Sequence, residues 1–197
     1  MKLSRWRALA PILFASIALA DMAGEPKWES LFNGKDLTGW AIMNDAAFTV
    51  TNGVIHVERT MGWLRTEKQY ADFILEVEWR ALETNYNSGI YIRAGLEGKP
   101  HPTNAWQINL KETALGQLLR GKPEVLPSKT PPMPVNEWVK YRIEARGKKL
   151  TLDVNGNRAW EFDGLDVVRG YIGLQAENKR LDFRNLRVQE LPADAKP

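Results

Sequence analysis

The sequence predicts an all-β domain folded as a sandwich of two antiparallel sheets, and three observations carry that expectation. Apolar and polar residues alternate along most of the chain, while no stretch of ten or more residues keeps a 3.6-residue apolar period. Asn-Gly occurs twice between alternating runs, where it supplies the positive φ angles of a two-residue type I′ hairpin turn. Short candidate strands then recur at regular spacing with no helical segment between them, the pattern of a sandwich or jelly roll.

Taken in order, Phe48 to Thr51, Asn52-Gly53 and Val54 to Glu58 form the first hairpin. Strands follow at Phe73 to Arg80, Ser88 to Ala94, Ala105 to Lys111 and Leu115 to Arg120. Residues Gly121 to Asn136 hold Pro123, Pro127, Pro131, Pro132 and Pro134, which removes ladder donors and predicts a stiff loop instead of a central strand. Trp138 to Arg146 is the next strand. Leu150 to Val154, Asn155-Gly156 and Asn157 to Phe162 repeat the hairpin device, and Tyr171 to Ala176 and Leu181 to Glu190 complete the sheets. Pro192 to Pro197 is expected to fray.

The first twenty residues read as a signal peptide. Lys2, Arg5 and Arg7 precede an apolar run that ends in Ala18-Leu19-Ala20, a small-x-small cleavage pattern. The run from Ala8 to Ala20 is shorter than the roughly 20 residues that span a bilayer. The expectation is cleavage after Ala20, a periplasmic or secreted product with no membrane attachment, and one domain over 21–197 with its core at about 28–191.

Of 27 basic residues three lie in that leader, so 24 face the 24 acidic residues that remain. A nucleic-acid binder is expected to carry a basic excess, and the mature chain has none. The absence of cysteine excludes disulfides, thiol nucleophiles and a lipid-modified cysteine. With His56 and His101 as the only histidines, a zinc site is not expected. No cofactor is expected, and Asp45, Asn85 and Asn87 are the oxygens a divalent cation would use. Nucleophile-elbow, phosphate-loop and zincin motifs are missing. Oligomeric state is not legible from the chain.

Strand alternation divides polar from apolar. Phe73, Leu75, Val77 and Trp79 share the core face of their strand, leaving Glu76, Glu78 and Arg80 outward. Ile90 and Ile92 point in, Gly89, Tyr91 and Arg93 out; Gln107, Asn109 and Lys111 form the next outward set. Sequential strands are often neighbours. If these share a sheet, Glu78, Arg93, Gln107, Asn109 and Lys111 make one polar patch on a concave face suited to a hydroxylated ligand. Gly89 would let a group approach the backbone closely. Glu76 and Glu78 point the same way with backbones about 7 Å apart, a second candidate acid and base pair. Asp182 and Arg184 read as a structural ion pair.

The run Leu31-Phe32-Asn33-Gly34-Lys35-Asp36-Leu37-Thr38-Gly39-Trp40 resembles the opening signature of the 3-keto-disaccharide hydrolase family. Further matches are Gly62-Trp63-Leu64 to Thr66, Tyr70-Ala71-Asp72-Phe73, Glu78 to Arg80 and Asn87 to Arg93. Asn136-Glu137-Trp138, Asn155-Gly156, Gly173-Leu174-Gln175 and Phe183-Arg184-Asn185-Leu186 follow, so the resemblance covers roughly Trp28 to Leu191. It implies a concanavalin A-like jelly roll and cleavage of glycosides already oxidised at sugar carbon 3. In that chemistry a base removes the C2 proton, the C1 group leaves, and water adds to the resulting 2-hydroxy-glucal.

Carried over, the resemblance implies Glu78 as base and Arg93 as enolate stabiliser, with Gln107 in the catalytic group. Trp63 or Trp106 would stack on a sugar ring, and Asn87, Tyr91, Asn109, Lys111, Gln175 and Glu177 would contact it. Relatives commonly carry Glu at Gln107, Gln at Asn109, and His near Ala176-Glu177. Gln107 cannot act as a base, so Glu78, Glu112 or Glu177 takes the proton, or the domain only binds carbohydrate.

Overall fold

The computed structural model describes residues 27–192, so the predicted leader 1–20 and the tail 193–197 lie outside the described residues. Fifteen strands are present: β1 (Trp28–Ser30), β2 (Trp40–Asn44), β3 (Phe48–Thr51), β4 (Val54–Val57), β5 (Met61–Tyr70), β6 (Phe73–Ala81), β7 (Gly89–Ala94), β8 (Trp106–Asn109), β9 (Leu118–Arg120), β10 (Glu124–Leu126), β11 (Val139–Arg146), β12 (Lys149–Val154), β13 (Asn157–Asp163), β14 (Gly170–Glu177) and β15 (Leu181–Glu190). The single helical element among the described residues is a 3-10 turn at Glu112–Ala114.

Two antiparallel sheets face each other. One runs β13-β12-β11-β6-β15-β4-β3, with β1 paired to β15, and the other runs β10-β9-β8-β7-β14-β5-β2. Between them lie Phe73, Leu75, Val77 and Trp79 of β6, opposite Ile90 and Ile92 of β7, Ile108 of β8 and Leu174 of β14, all buried. Burying one such side chain stabilises the fold by roughly 1.5–3 kcal/mol. Trp79 meets the edge of Tyr141 at 5.7 Å between ring centroids.

Both hairpins form as the turn chemistry predicts. Asn52 and Gly53 have φ of 51° and 76°, Asn155 and Gly156 of 50° and 83°, the paired left-handed conformations of a type I′ turn. The proline-rich segment is not purely a loop, because Glu124–Leu126 pairs with β9. It does so at the sheet edge, where Pro123 and Pro127 interrupt no ladder. The strand expected from Leu115 begins at Leu118, after the 3-10 turn. Strands β1, β2 and β5 have no counterpart in the sequence reading; β5 alternates poorly, with Gly62, Trp63 and Leu64 all buried in succession.

The expected neighbourhood of β6, β7 and β8 is corrected. β7 pairs with β8, but β6 pairs with β11 and β15 in the opposite sheet. Alternation states which face of a strand is buried, and both sheets bury one face. Glu78 and Gln107 are therefore both outward, in opposite directions.

Candidate functional site

The outer face of the β7-β8-β14 sheet carries a cleft of about 650 Å³. Its floor includes Tyr91 of β7, Gln107 and Asn109 of β8, and Gln175 and Glu177 of β14. The β7–β8 loop contributes Lys99, Pro100, His101, Pro102 and Thr103, β9, β10 and the turns beside them contribute Gln117, Leu119, Gly121, Lys122 and Glu124, and Met61, Asn87 and Lys111 complete the lining.

Glycine placement builds the floor. Strand β7 lies between β8 and β14, and its Gly89 faces the cleft where a Cβ would collide with the Gln107 amide. The missing side chain lets Gln107 lie across β7 and donate from Nε2 to Gln175 Oε1 at 2.9 Å. Gly173 does the same beneath: a Cβ there would sit 2.6 Å from the Trp63 ring. Trp63 and Tyr91 consequently meet edge to face at 5.6 Å, buried with Ala94 and Ala105 as a second apolar cluster.

From Gln175 the hydrogen bonds continue to titratable groups. Its Nε2 donates to Glu177 and approaches His101 Nδ1 at 3.4 Å. His101 Nε2 lies 3.0 Å from the Ala176 carbonyl, which can only accept, so the proton of the neutral ring sits on Nε2 and Nδ1 keeps a lone pair. Glu177 Oε2 is 3.9 Å from that Nδ1. Asn109 donates to Gln117 Oε1 at 3.0 Å while its own Oδ1 is buried without a partner, and Gln117 donates to Glu124. Tyr91 Oη is also buried without a partner. Burial first, and the Glu177 charge second, push its phenol well above the ordinary range, so it keeps its proton.

The structure thus brings Asn87, Tyr91, Gln107, Asn109, Lys111, Gln175 and Glu177 to one cleft and removes four expected residues from it. Glu78 stands on the other sheet, accepting from Arg184 Nε at 2.7 Å. Desolvation raises its pKa, but hydrogen bonds from Asn185 and Arg184 outweigh that and hold the carboxyl below its usual range, which weakens it as a base. Glu76 is likewise tied to Lys140 and Arg187, so the Glu76–Glu78 pair is not an acid and base couple.

Arg93 is the second correction. It adopts φ of 48° where β7 loses register with β14, so strict alternation ends before it. Its fully buried guanidinium donates to the carbonyls of Ala71, Gly147 and Val167 and to Asp72, tying four segments together. Trp106 turns into the core, its Nε1 donating to Asp166, and Trp63 is 1% exposed beneath the floor; neither offers a ring face to the cleft. The expected Asp182–Arg184 pair is also replaced: Asp182 binds Arg80 and His56 while Arg184 binds Glu78.

The sequence reading missed His101, Lys99, Thr103, Gln117, Lys122 and Glu124. His101 had one available signal, as one of two histidines lying in a loop punctuated by Gly95, Gly98, Pro100 and Pro102. Among the described residues no group of three His, Asp or Glu side chains is arranged to hold a metal ion.

Comparison with known proteins agrees with this architecture. The family model described as the 3-keto-alpha-glucoside-1,2-lyase-like domain matches residues 27–189. A structure from Parabacteroides distasonis, proposed in its description to be a glycosyl hydrolase, superposes with a TM-score of 0.69 at 20% identity, covering 83% of this chain and 94% of that one. A carbohydrate-binding module of Bacillus subtilis, CBM66, gives 0.67 at 16% identity over 77% and 96%. The lumenal domain of VIP36, in a form bound to Ca2+ and Man3GlcNAc, gives 0.64 at 12% identity over 84% and 89%. These neighbours establish the lectin-like jelly-roll fold. No curated protein matches the sequence.

Proposed function

The chain belongs to the 3-keto-alpha-glucoside-1,2-lyase-like domain family, and from that premise we propose that the cleft binds a 3-keto-glycoside and cleaves it by elimination and hydration. The observation that carries this reading is the hydrogen-bonded run Gln107–Gln175–Glu177, which ends in a carboxylate beside the His101 ring.

Of the three carboxylates open to the role of base, Glu177 alone lines the cleft. Glu78 is on the far sheet, and Glu112 accepts from the Asn85 amide at 2.7 Å in an adjoining depression. Glu177 takes the C2 proton, which the neighbouring ketone acidifies, and the C1–O bond breaks with its electron pair leaving on the glycosidic oxygen. The proton passes from Glu177 to His101 Nδ1 and from there to the departing oxygen, giving a free alcohol and a 2-hydroxy-glucal. Water then adds its oxygen to C1 and a proton to C2. Lys111 lines both the cleft and the depression it shares with Glu177, so its ammonium serves the enolate oxygen that develops at carbon 3. Gln175 and Gln107 orient the carboxylate without supplying charge.

The test is direct. Purified protein is incubated with 3-keto-trehalose and the released sugar is followed by chromatography; release is expected. A second reading, a carbohydrate-binding domain without turnover, draws on Gln107 itself, an amide in the cleft floor that cannot act as a base. Calorimetric binding of the keto-sugar with no release would establish that reading in place of catalysis. Export belongs to the same proposal, and the intact mass of protein recovered outside the cytoplasm is expected to correspond to cleavage after Ala20.

A further inference from the structure

The cleft's end wall has a charge arrangement that the elimination chemistry does not use. The β7–β8 loop and the β9–β10 turn meet there: Gly121 N donates to Ala105 O at 2.9 Å, and a Cβ on Gly121 would lie 2.7 Å from Thr103 O. Each of these segments places a lysine in the lining, Lys99 from one and Lys122 from the other. Among the described residues neither ammonium lies within the 4.0 Å that defines an ion pair with a carboxylate.

The acids nearest in sequence form no ion pair with them. Glu97 stands outside the lining, and Glu124 accepts from the amide of Gln117. Glu177, also in the lining, accepts from the amide of Gln175. A neutral amide leaves a carboxylate its charge, so the lining sets Lys99, Lys111 and Lys122 against Glu124 and Glu177, an excess of one positive charge. The depression on the opposite sheet handles lysine differently, with Lys140 3.0 Å from Glu76.

We propose that Lys99 and Lys122 form an anion-recognising subsite, so that the preferred ligand is a glycoside bearing a carboxylate or sulfate group. The sugar ring lies over Gln107 and Gln175, and its anionic substituent, or that of the adjoining residue, reaches the end wall beside Thr103. This rests on the carbohydrate reading of the cleft but not on turnover. Two solvent-exposed ion pairs correspond to about tenfold in affinity at low salt.

Calorimetry on the full chain, using three unoxidised probes of equal length, tests the subsite: cellobiose, cellobiouronic acid and a monosulfated cellobiose. At least one anionic probe is expected to bind about tenfold tighter than cellobiose, with the preference shrinking as salt shortens the screening length. In the Lys99→Met, Lys122→Met double variant the ratio is expected to fall to about one. A preference confined to cellobiouronic acid identifies a carboxylate as the natural group, and one confined to the sulfated probe identifies a sulfate. Equal affinities, no binding of either anionic probe, or a preference that survives in the double variant would each overturn the proposal. Turnover of 3-keto-trehalose is scored separately, so a failed elimination mechanism and a failed anion subsite give different results.

Discussion

The two outward faces of the sandwich are both polar, yet they handle charge in opposite ways. On the β6-β11-β15 face nearly every acid meets a cation across a strand: Glu76 meets Lys140 and Arg187, Glu78 meets Arg184, and Asp182 meets Arg80. The Trp138 ring is flanked by Arg80 and Arg184, whose guanidinium carbons lie 4.6 and 3.9 Å from its centroid. On the β7-β8-β14 face the acids rest on glutamine amides, and Lys99, Lys111 and Lys122 face the cleft without an ion-pair partner among the described residues. A wet polar surface is thus not one kind of object. Where charges neutralise one another the face serves the fold; where amides hold the acids, both the acids and the lysines stay available to a ligand.

The sharpest test of that contrast exchanges one glutamate on each face. Glu177→Gln is expected to lower release of sugar from 3-keto-trehalose by about 10²–10⁴-fold. Glu78→Gln is expected to leave the same assay within about twofold. Loss of activity in Glu78→Gln with folding intact would reverse the assignment of the two faces.

Arg93 extends the comparison to a residue that serves neither face. Replacing it by Met leaves three carbonyls and Asp72 without their buried donor, which is expected to cost about 3–5 kcal/mol in denaturant unfolding. A variant that keeps wild-type stability but loses sugar binding would return Arg93 to the site.

A smaller effect is expected from Gly89→Ala, whose methyl displaces Gln107 from its path to Gln175. About tenfold weaker binding of sugar is expected by calorimetry, with stability changed by roughly 1 kcal/mol. Unchanged affinity would show that the Gln107–Gln175 bond does not shape the cleft.

The smallest effect is one of pH on the opposite face. Burial raises the Glu76 pKa, but hydrogen bonds from Lys140 and Arg187 outweigh it and leave the carboxyl below its ordinary range. A carboxylate depressed in the folded state stabilises the protein above its unfolded pKa, near 4.3 for glutamate, and that contribution is lost as pH falls through the folded value. Glu76→Gln is therefore expected to be about 1 kcal/mol less stable than wild type at neutral pH, with the difference vanishing in acid. Thermal melts at several pH values measure the convergence.

Much of the fold was legible because it rests on local rules. Asn52-Gly53 and Asn155-Gly156 turned where positive φ was expected, and the core faces of β6 and β7 up to Ile92 followed alternation. The cleft was legible in part: Tyr91, Gln107 and Asn109 sit on strands that are neighbours in sequence and in space. Alternation failed at Arg93, where a left-handed residue breaks the register, and it carries no information on the loop that brings His101 onto Ala176.

The sequence by itself determined most of the strands, their turns, the buried side of most of them and the family, because each is written in a contiguous pattern of a few residues. Which sheet each strand joins was decided only in the tertiary structure. Hydrogen-bonding edges are alike from strand to strand, and the partner of β6 is chosen by which edges the rest of the chain leaves open. That choice separated Glu78 from Gln107 and set Glu177 beside His101, residues 76 positions apart in the chain that share one cleft.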